Sequence, residues 1–307
     1  MIAMMNFITL MNNYSEKMMT NILHNPDYYR ELQAKSLLYR KTLLKLIYSA
    51  KAGHIGGSLS CVDLLNVLYN HVMNITPDNF QQTKRDHYIH SKGHAVEALY
   101  AVLADKGFFS WDALESVGKY GSHFAGHPTR DIPGIEQNTG ALGHGLALAV
   151  GMALATKKDG QDHRVFTIMG DGELAEGSVW EASTSAAHYK LDNLVAIIDR
   201  NTLQISGRTE DVMALEPLED KFKAFGYAVR HVDGNDIPAL INLFDQLPFE
   251  KDKPNLILAH TKKGKGISFI EDKAPWHHKV PTETEFETAL RELGLAEKDL
   301  EAVDGLE

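Results

Sequence analysis

Four short, mostly apolar runs, at residues 165–169, 194–198, 228–232 and 256–260, are separated by stretches long enough for helices. Strands that are apolar along most of their length, instead of alternating, are buried on both faces. The pattern therefore predicts an α/β fold, a doubly wound parallel sheet with helices on both faces. In such sheets ligands lie in the crevice beyond the carboxyl ends of the strands. The residues that follow each run are thus the candidates for chemistry.

The chain has 307 residues, enough to bury a sizeable core, and reads as one large domain over 30–281. A methionine-rich extension, 1–29, precedes it, and an acidic tail of helical pattern, 282–307, follows as a surface helix. Lys and Arg number 31 against 41 Asp and Glu, a net charge of −10 without a basic cluster, so neither nucleic acid nor an anionic membrane is an expected partner. Small molecules or protein are. No apolar run approaches the roughly 20 residues of a membrane-spanning helix. A single cysteine, Cys61, cannot form an internal disulfide, and with 15 histidines and no secretory leader it points to a reducing cytoplasm.

Before the first run, residues 30–51 carry Leu37, Leu44, Ile47 and Tyr48 at helical spacing and stop at Gly53. A glycine-rich turn, 53–58, follows with His54 on it. Ser60 and Asp63 have the spacing of a capping box and predict the start of a second helix there. Residues 86–91 read as a strand, 94–106 as a helix, 116–138 as a loop dotted with glycine, and 142–156 as a helix able to pack closely.

The run at 165–169 leads into Gly170-Asp171-Gly172-Glu173-Leu174-Ala175-Glu176-Gly177, and the run at 194–198 delivers Asn201 beside Asp171. Mg²⁺ takes few protein oxygens and completes its octahedron with phosphate and water. A carboxylate, an amide oxygen and a main-chain carbonyl such as that of Leu203 would suit it. Glycines on either side of Asp171 let a diphosphate approach the backbone, and a helix beginning near Glu173 would aim free N–H groups at it. The plain alternative is a capped strand-to-helix turn that binds nothing.

Around that run stand Gly53-His54-Ile55-Gly56-Gly57-Ser58, Ser91-Lys92-Gly93-His94, Gly126-His127-Pro128 and Thr139-Gly140-Ala141-Leu142-Gly143. With Gly170-Asp171-Gly172 through Asn201 they resemble, in order, the diphosphate-binding half of the transketolase family over about residues 35–279. The resemblance implies the thiamine diphosphate-binding fold of the diphosphate (PP) type, with thiamine diphosphate and Mg²⁺ or Ca²⁺ as cofactors. It implies that Asp171, Asn201 and the Leu203 carbonyl hold the metal. Gly170, Gly172, Glu173 and His94 would lie at the diphosphate, and Gly140, Ala141 and Leu142 along the cofactor. Glu176 resembles the acid that meets a glutamate of a partner domain. His54 and His127 resemble the histidines that bond sugar hydroxyls, and His277 the one between diphosphate and donor, with His278 beside it leaving that choice open. His144 stands where full-length members more often carry glutamine.

The histidines also speak without the family. Neutral imidazoles donate and accept, so several on glycine-flanked loops can bind hydroxyls and move protons near neutrality. His71, His87, His123, His163, His188 and His231 have no such setting. Lys262, Lys263 and Lys265 can equally add positive charge near a phosphate or sit solvated.

The family's pyrimidine-binding and C-terminal domains are not matched in this sequence, which implies a split enzyme completed by a second polypeptide carrying them, in an α₂β₂ assembly acting on sugar phosphates. Two other enzyme readings stay open: the α subunit of a 2-oxoacid dehydrogenase E1 and a relative of deoxyxylulose phosphate synthase. So does a non-catalytic module that binds thiamine diphosphate. A dinucleotide-binding domain is disfavoured, since no Gly-x-Gly-x-x-Gly follows a strand.

Overall fold

The computed structural model describes residues 25–294. Five parallel strands form one sheet: β1 (His87–His90), β2 (Val165–Gly170), β3 (Leu194–Arg200), β6 (Ala228–Asp233) and β7 (Asn255–His260), in the order β1-β2-β3-β7-β6. A two-residue hairpin, β4 (Leu203–Gln204) and β5 (Gly207–Arg208), follows β3. The expected doubly wound sheet is present. Side chains alternate between two cores: Val195 and Ile197 face one, Leu194, Ala196 and Ile198 the other. This is why the inner strands β2, β3 and β7 are apolar over most of their length, since each face is covered by helices, whereas the edge strand β6 carries half-buried Arg230 and exposed His231.

On the first face lie α1 (Pro26–Ala50), α2 (Ile55–Val67), α3 (Val96–Asp105), α8 (Ile237–Phe244) and α9 (Glu283–Glu292). On the second lie α4 (His144–Lys158), α5 (Gly177–His188) and α7 (Leu218–Phe225), and the single turn α6 (Thr209–Val212) links the hairpin to them.

The helix expected over 30–51 begins earlier, at Pro26, because the Asn25 side chain caps the Asp27 amide and proline suits the first turn. Its left-handed end is Lys51, not Gly53. Its buried stripe is Leu32, Ser36, Tyr39, Arg40, Leu43, Leu44 and Ile47, whereas Leu37 is exposed. The capping-box start at Ser60 is a correction: α2 already runs from Ile55, and Ser60 sits inside it, buried. Glycine serves close packing there. A Cβ on Gly56 would lie 2.7 Å from the Trp276 carbonyl, and one on Gly57 3.2 Å from His94 Nε2.

The helix expected near Glu173 is also corrected. Residues Gly172–Ala175 form one 3-10 turn and α5 starts at Gly177, because the Glu173 side chain turns inward. The acidic tail is a helix over Glu283–Glu292 with a full capping box at Thr282 and Glu285. One face of it is core: Phe286, Ala289 and Leu290 are buried, and Phe286 stacks on Tyr48 of α1 at 4.0 Å. Most of the N-terminal extension, 1–24, and the end of the tail, 295–307, lie outside the described residues. None of the described helices is long and apolar enough to cross a membrane.

Candidate functional site

Because the strands are parallel, Ser91, Asp171, Asn201 and Thr261 all leave the sheet at its carboxyl end. Buried charge pins these exits together. Lys92 is 1 % exposed and pairs with Asp199 of β3, while also donating to the Gly57 carbonyl at 2.9 Å. Asp199 accepts further from Ser60 Oγ at 2.6 Å and from Thr261 Oγ1. Burial alone would raise the Asp199 carboxyl, but the Lys92 ammonium holds it below its ordinary range.

Asp171 is buried at the foot of the crevice. Its Oδ1 accepts from Gly172 N at 2.8 Å, and its Oδ2 from Thr202 N at 2.6 Å and Arg200 Nη1 at 3.1 Å. Burial, with Asp199 nearby, lifts its carboxyl above the usual range. Arg200 is itself buried and also pairs with Glu210 and Glu216. Asn201 Oδ1 accepts from Leu203 N at 3.1 Å, and the Leu203 carbonyl accepts from Lys263 Nζ at 3.0 Å. These oxygens keep lone pairs to spare.

A cavity of about 310 Å³ opens over this floor, lined by Lys92, His94, Gly140, Leu142, Gly170, Asp171, Gly172, Glu173, Asn201, Leu203, Lys263 and His277, with Gln204, Ile205 and Ser206 of the hairpin. Of the residues expected along a cofactor, only Ala141 is absent from this lining and is exposed. Glu173 reaches the cavity, but both oxygens of its buried carboxylate are already engaged. It accepts from Ser91 Oγ, from Gly143 N at 2.8 Å and from Gly170 N at 3.0 Å, tying three loops together. Glu176 does not line the cavity and is exposed at the start of α5, beside Gly143.

The histidines gather at the cavity mouth. The His54 ring lies 5.2 Å from His94, 6.2 Å from His127, 5.5 Å from His277 and 4.5 Å from His278, and His94 stacks on His277 at 5.3 Å. Burial pushes His54 down to about 4 and His277 to about 3, and it holds His94 and His127 below their ordinary range as well. Burial thus favours the neutral imidazole in all four. His277 Nδ1 faces Lys263 Nζ at 2.9 Å, so that nitrogen accepts and Nε2 carries the proton. Among the described residues, His54 Nδ1 is buried with no hydrogen-bond partner, as is Thr139 Oγ1. His278 lies on the exposed side, leaving His277 as the member of the pair that lines the cavity.

The three lysines after β7 differ. Lys263 is buried in the cavity wall, where burial lowers its ammonium to about 8, whereas exposed Lys262 pairs with Glu271. The order of charges in Asp199-Arg200-Asn201, straight after an apolar run, was the available signal for the missed Asp199 and Arg200. Lys92 lay in a recognisable motif but needed its distant partner to have a meaning.

The donor set suits a hard divalent cation. Among the described residues no group of three His, Cys, Asp or Glu is placed to hold a metal, so an ion here would rest on one carboxylate, one amide oxygen and one carbonyl, with phosphate and water completing it. Glycine provides the room for a diphosphate: a Cβ on Gly172 would lie 3.0 Å from Gln204, and one on Gly93 2.8 Å from Gly140 N. The residues fit both groups.

Residues 36–304 match the family described as transketolase, thiamine diphosphate binding domain. The chain is 51% identical over 262 residues to an apulose-4-phosphate transketolase subunit of Phocaeicola vulgatus, covering 85% of this chain and 93% of that one. It is 41% identical over 264 residues to the 6-deoxy-6-sulfo-D-fructose transketolase subunit SqwG of a Clostridium species, covering 86% and 96%. Among solved structures it is similar to the transketolase of Campylobacter jejuni, with a TM-score of 0.81 and 31% identity over 86% of this chain. The chain spans 43% of the length of that transketolase.

Proposed function

This chain belongs to the transketolase family, and from that premise we propose that it is the first subunit of a two-chain transketolase that moves a two-carbon ketol unit from a ketose phosphate to an aldose. The observation that carries the reading is the convergence in one cavity of Asp171, Asn201, the Leu203 carbonyl and neutral histidines. The extent of the match to relatives named as subunits supports the two-chain form. The oxoacid dehydrogenase, deoxyxylulose phosphate synthase and non-catalytic readings are set aside, because the family match is to transketolase over most of the chain.

Asp171, Asn201 and the Leu203 carbonyl would hold Mg²⁺ or Ca²⁺, and Gly170, Gly172 and His94 would take the diphosphate of thiamine diphosphate. That coenzyme, when bound, supplies an electron sink for the ketol unit. His54, His127 and His277, neutral near pH 7, would hydrogen-bond donor hydroxyls and carry protons at their ring nitrogens. Glu176 is exposed, as a residue meeting a partner domain must be. The partner would carry the pyrimidine-binding and C-terminal domains, in an α₂β₂ cytoplasmic assembly. Apulose 4-phosphate is the first donor to assay, given the relative that bears its name.

Purified alone with Mg²⁺ and thiamine diphosphate, the chain should transfer no glycolaldehyde unit from a ketose phosphate, and adding the second polypeptide should bring turnover that Asp171→Ala abolishes. Turnover by the chain alone would overturn the two-chain reading, and full turnover by Asp171→Ala the site.

A further inference from the structure

Behind the histidine cluster lies a carboxylate with no part in the chemistry assigned so far. Glu97, in the first turn of α3, is 3 % exposed. Its Oε1 accepts from the His54 main-chain N–H at 3.3 Å, and its Oε2 accepts from Ser58 Oγ at 2.7 Å. Both donors belong to the start of α2. The backbone makes room for it: Gly53 has φ +142°, and a Cβ there would lie 2.5 Å from Glu97 Oε1. Among the described residues no lysine, arginine or histidine forms an ion pair with it. A buried carboxylate is seldom left without a cation, because its desolvation goes uncompensated.

We propose that Glu97 is the positioning residue for His54: it grips the main chain at the turn before α2 and so aims the imidazole into the histidine cluster. Two acceptor oxygens meet two donors only when the carboxylate is ionised. Protonated, the carboxyl can bond Ser58 only if that hydroxyl turns from donor to acceptor, and both bonds lose their charge assistance, so the grip loosens. Burial pushes the Glu97 carboxyl up to about 7, with the Ser58 and His54 hydrogen bonds acting against it. The titratable groups that face it are Cys61 on α2, Tyr100 on its own helix and His54 itself. Cys61 and Tyr100 are both raised by burial and stay neutral near pH 7. The grip therefore tightens as pH rises through neutrality.

The consequence for turnover rests on the function proposed above, whereas the position of His54 does not. In the two-subunit enzyme, Glu97→Gln should lower kcat/KM for the ketose phosphate about tenfold at pH 8, the loss of one charge-assisted hydrogen bond. It should also abolish the rise of kcat/KM near pH 7 and leave thiamine diphosphate affinity within about twofold. Ser58→Ala, which removes a donor to the ionised form, should instead shift that rise to higher pH. Independently of turnover, the His54 ring resonance, assigned with His54→Gln, should shift between about pH 6 and 8 in the wild type and not in Glu97→Gln.

Stability separates positioning from mere packing. The folded carboxyl lies above its ordinary 4.5, so the fold loses stability as pH rises from there through about 7. Glu97→Gln should match or exceed the wild-type urea midpoint at pH 8. A lower midpoint in Glu97→Gln, or a His54 resonance that ignores both Glu97→Gln and Ser58→Ala, would sink the proposal. Absence of turnover in the wild type would count against the assigned reaction and leave the resonance test standing.

Discussion

Lys92 and Asp199 are the residues on which the geometry of the crevice turns. One follows β1 and the other lies in β3, and neither is more than 1 % exposed. Two buried charges are tolerable only while each has the other, and removing one leaves the survivor without solvent or counterion. Lys92→Met should therefore destabilise the chain by about 3–5 kcal/mol, read as a fall in the urea midpoint. A loss below about 1 kcal/mol would mean that Asp199 has other relief, with Ser60 and Thr261 the side-chain partners left among the described residues. Lys263 is a different case: its ammonium bonds the Leu203 carbonyl and His277 and, among the described residues, forms no ion pair with a carboxylate. A sequence can show that a lysine follows a strand, but not whether it ends in water or against a carbonyl.

At the scale of the element, close approach decides more than propensity. The amino end of α4 lies so near the end of β1 that a Cβ on Gly145 would sit 2.7 Å from Ser91 Cα and closer still to its side chain. Ser91 also donates to Glu173, so the helix cannot shift without disturbing the Asp171 turn. Gly145→Ala should cost about 1–3 kcal/mol by overpacking, although alanine favours helix elsewhere. A thermal midpoint equal to or above the wild type would show that the helix moves freely. The same physics explains what could be read of these elements in advance. The inner strands were legible because burial on both faces leaves them mostly apolar. The start of α2 was not, because Gly56 and Gly57 look like loop residues and in fact allow Trp276 and His94 to come near. Ser60 and Asp63 had the spacing of a cap, but their side chains bond Asp199 and Arg40 inside the fold.

For the molecule as a whole, the sheet is a platform whose carboxyl end collects loops from four strands. The described cavity gathers the oxygens and glycines suited to a metal and a diphosphate. Inorganic pyrophosphate with Mg²⁺ should therefore stabilise the isolated chain by about 2.7 kcal/mol at a hundred times its Kd, on the order of 5 °C in Tm. Thiamine without phosphate should do far less. An equal shift in Asp171→Ala would place the anion elsewhere. By itself the sequence determined the parallel sheet, its two covered faces and the loops that carry the chemistry, because these follow from hydrophobic period and local turn residues. Only the tertiary structure decided which charges pair in the interior, that Glu173 binds loops together, that Glu176 faces outward and that Glu97 lies beneath His54. Those outcomes depend on which distant residues exclude water from one another, and chain order carries no record of that.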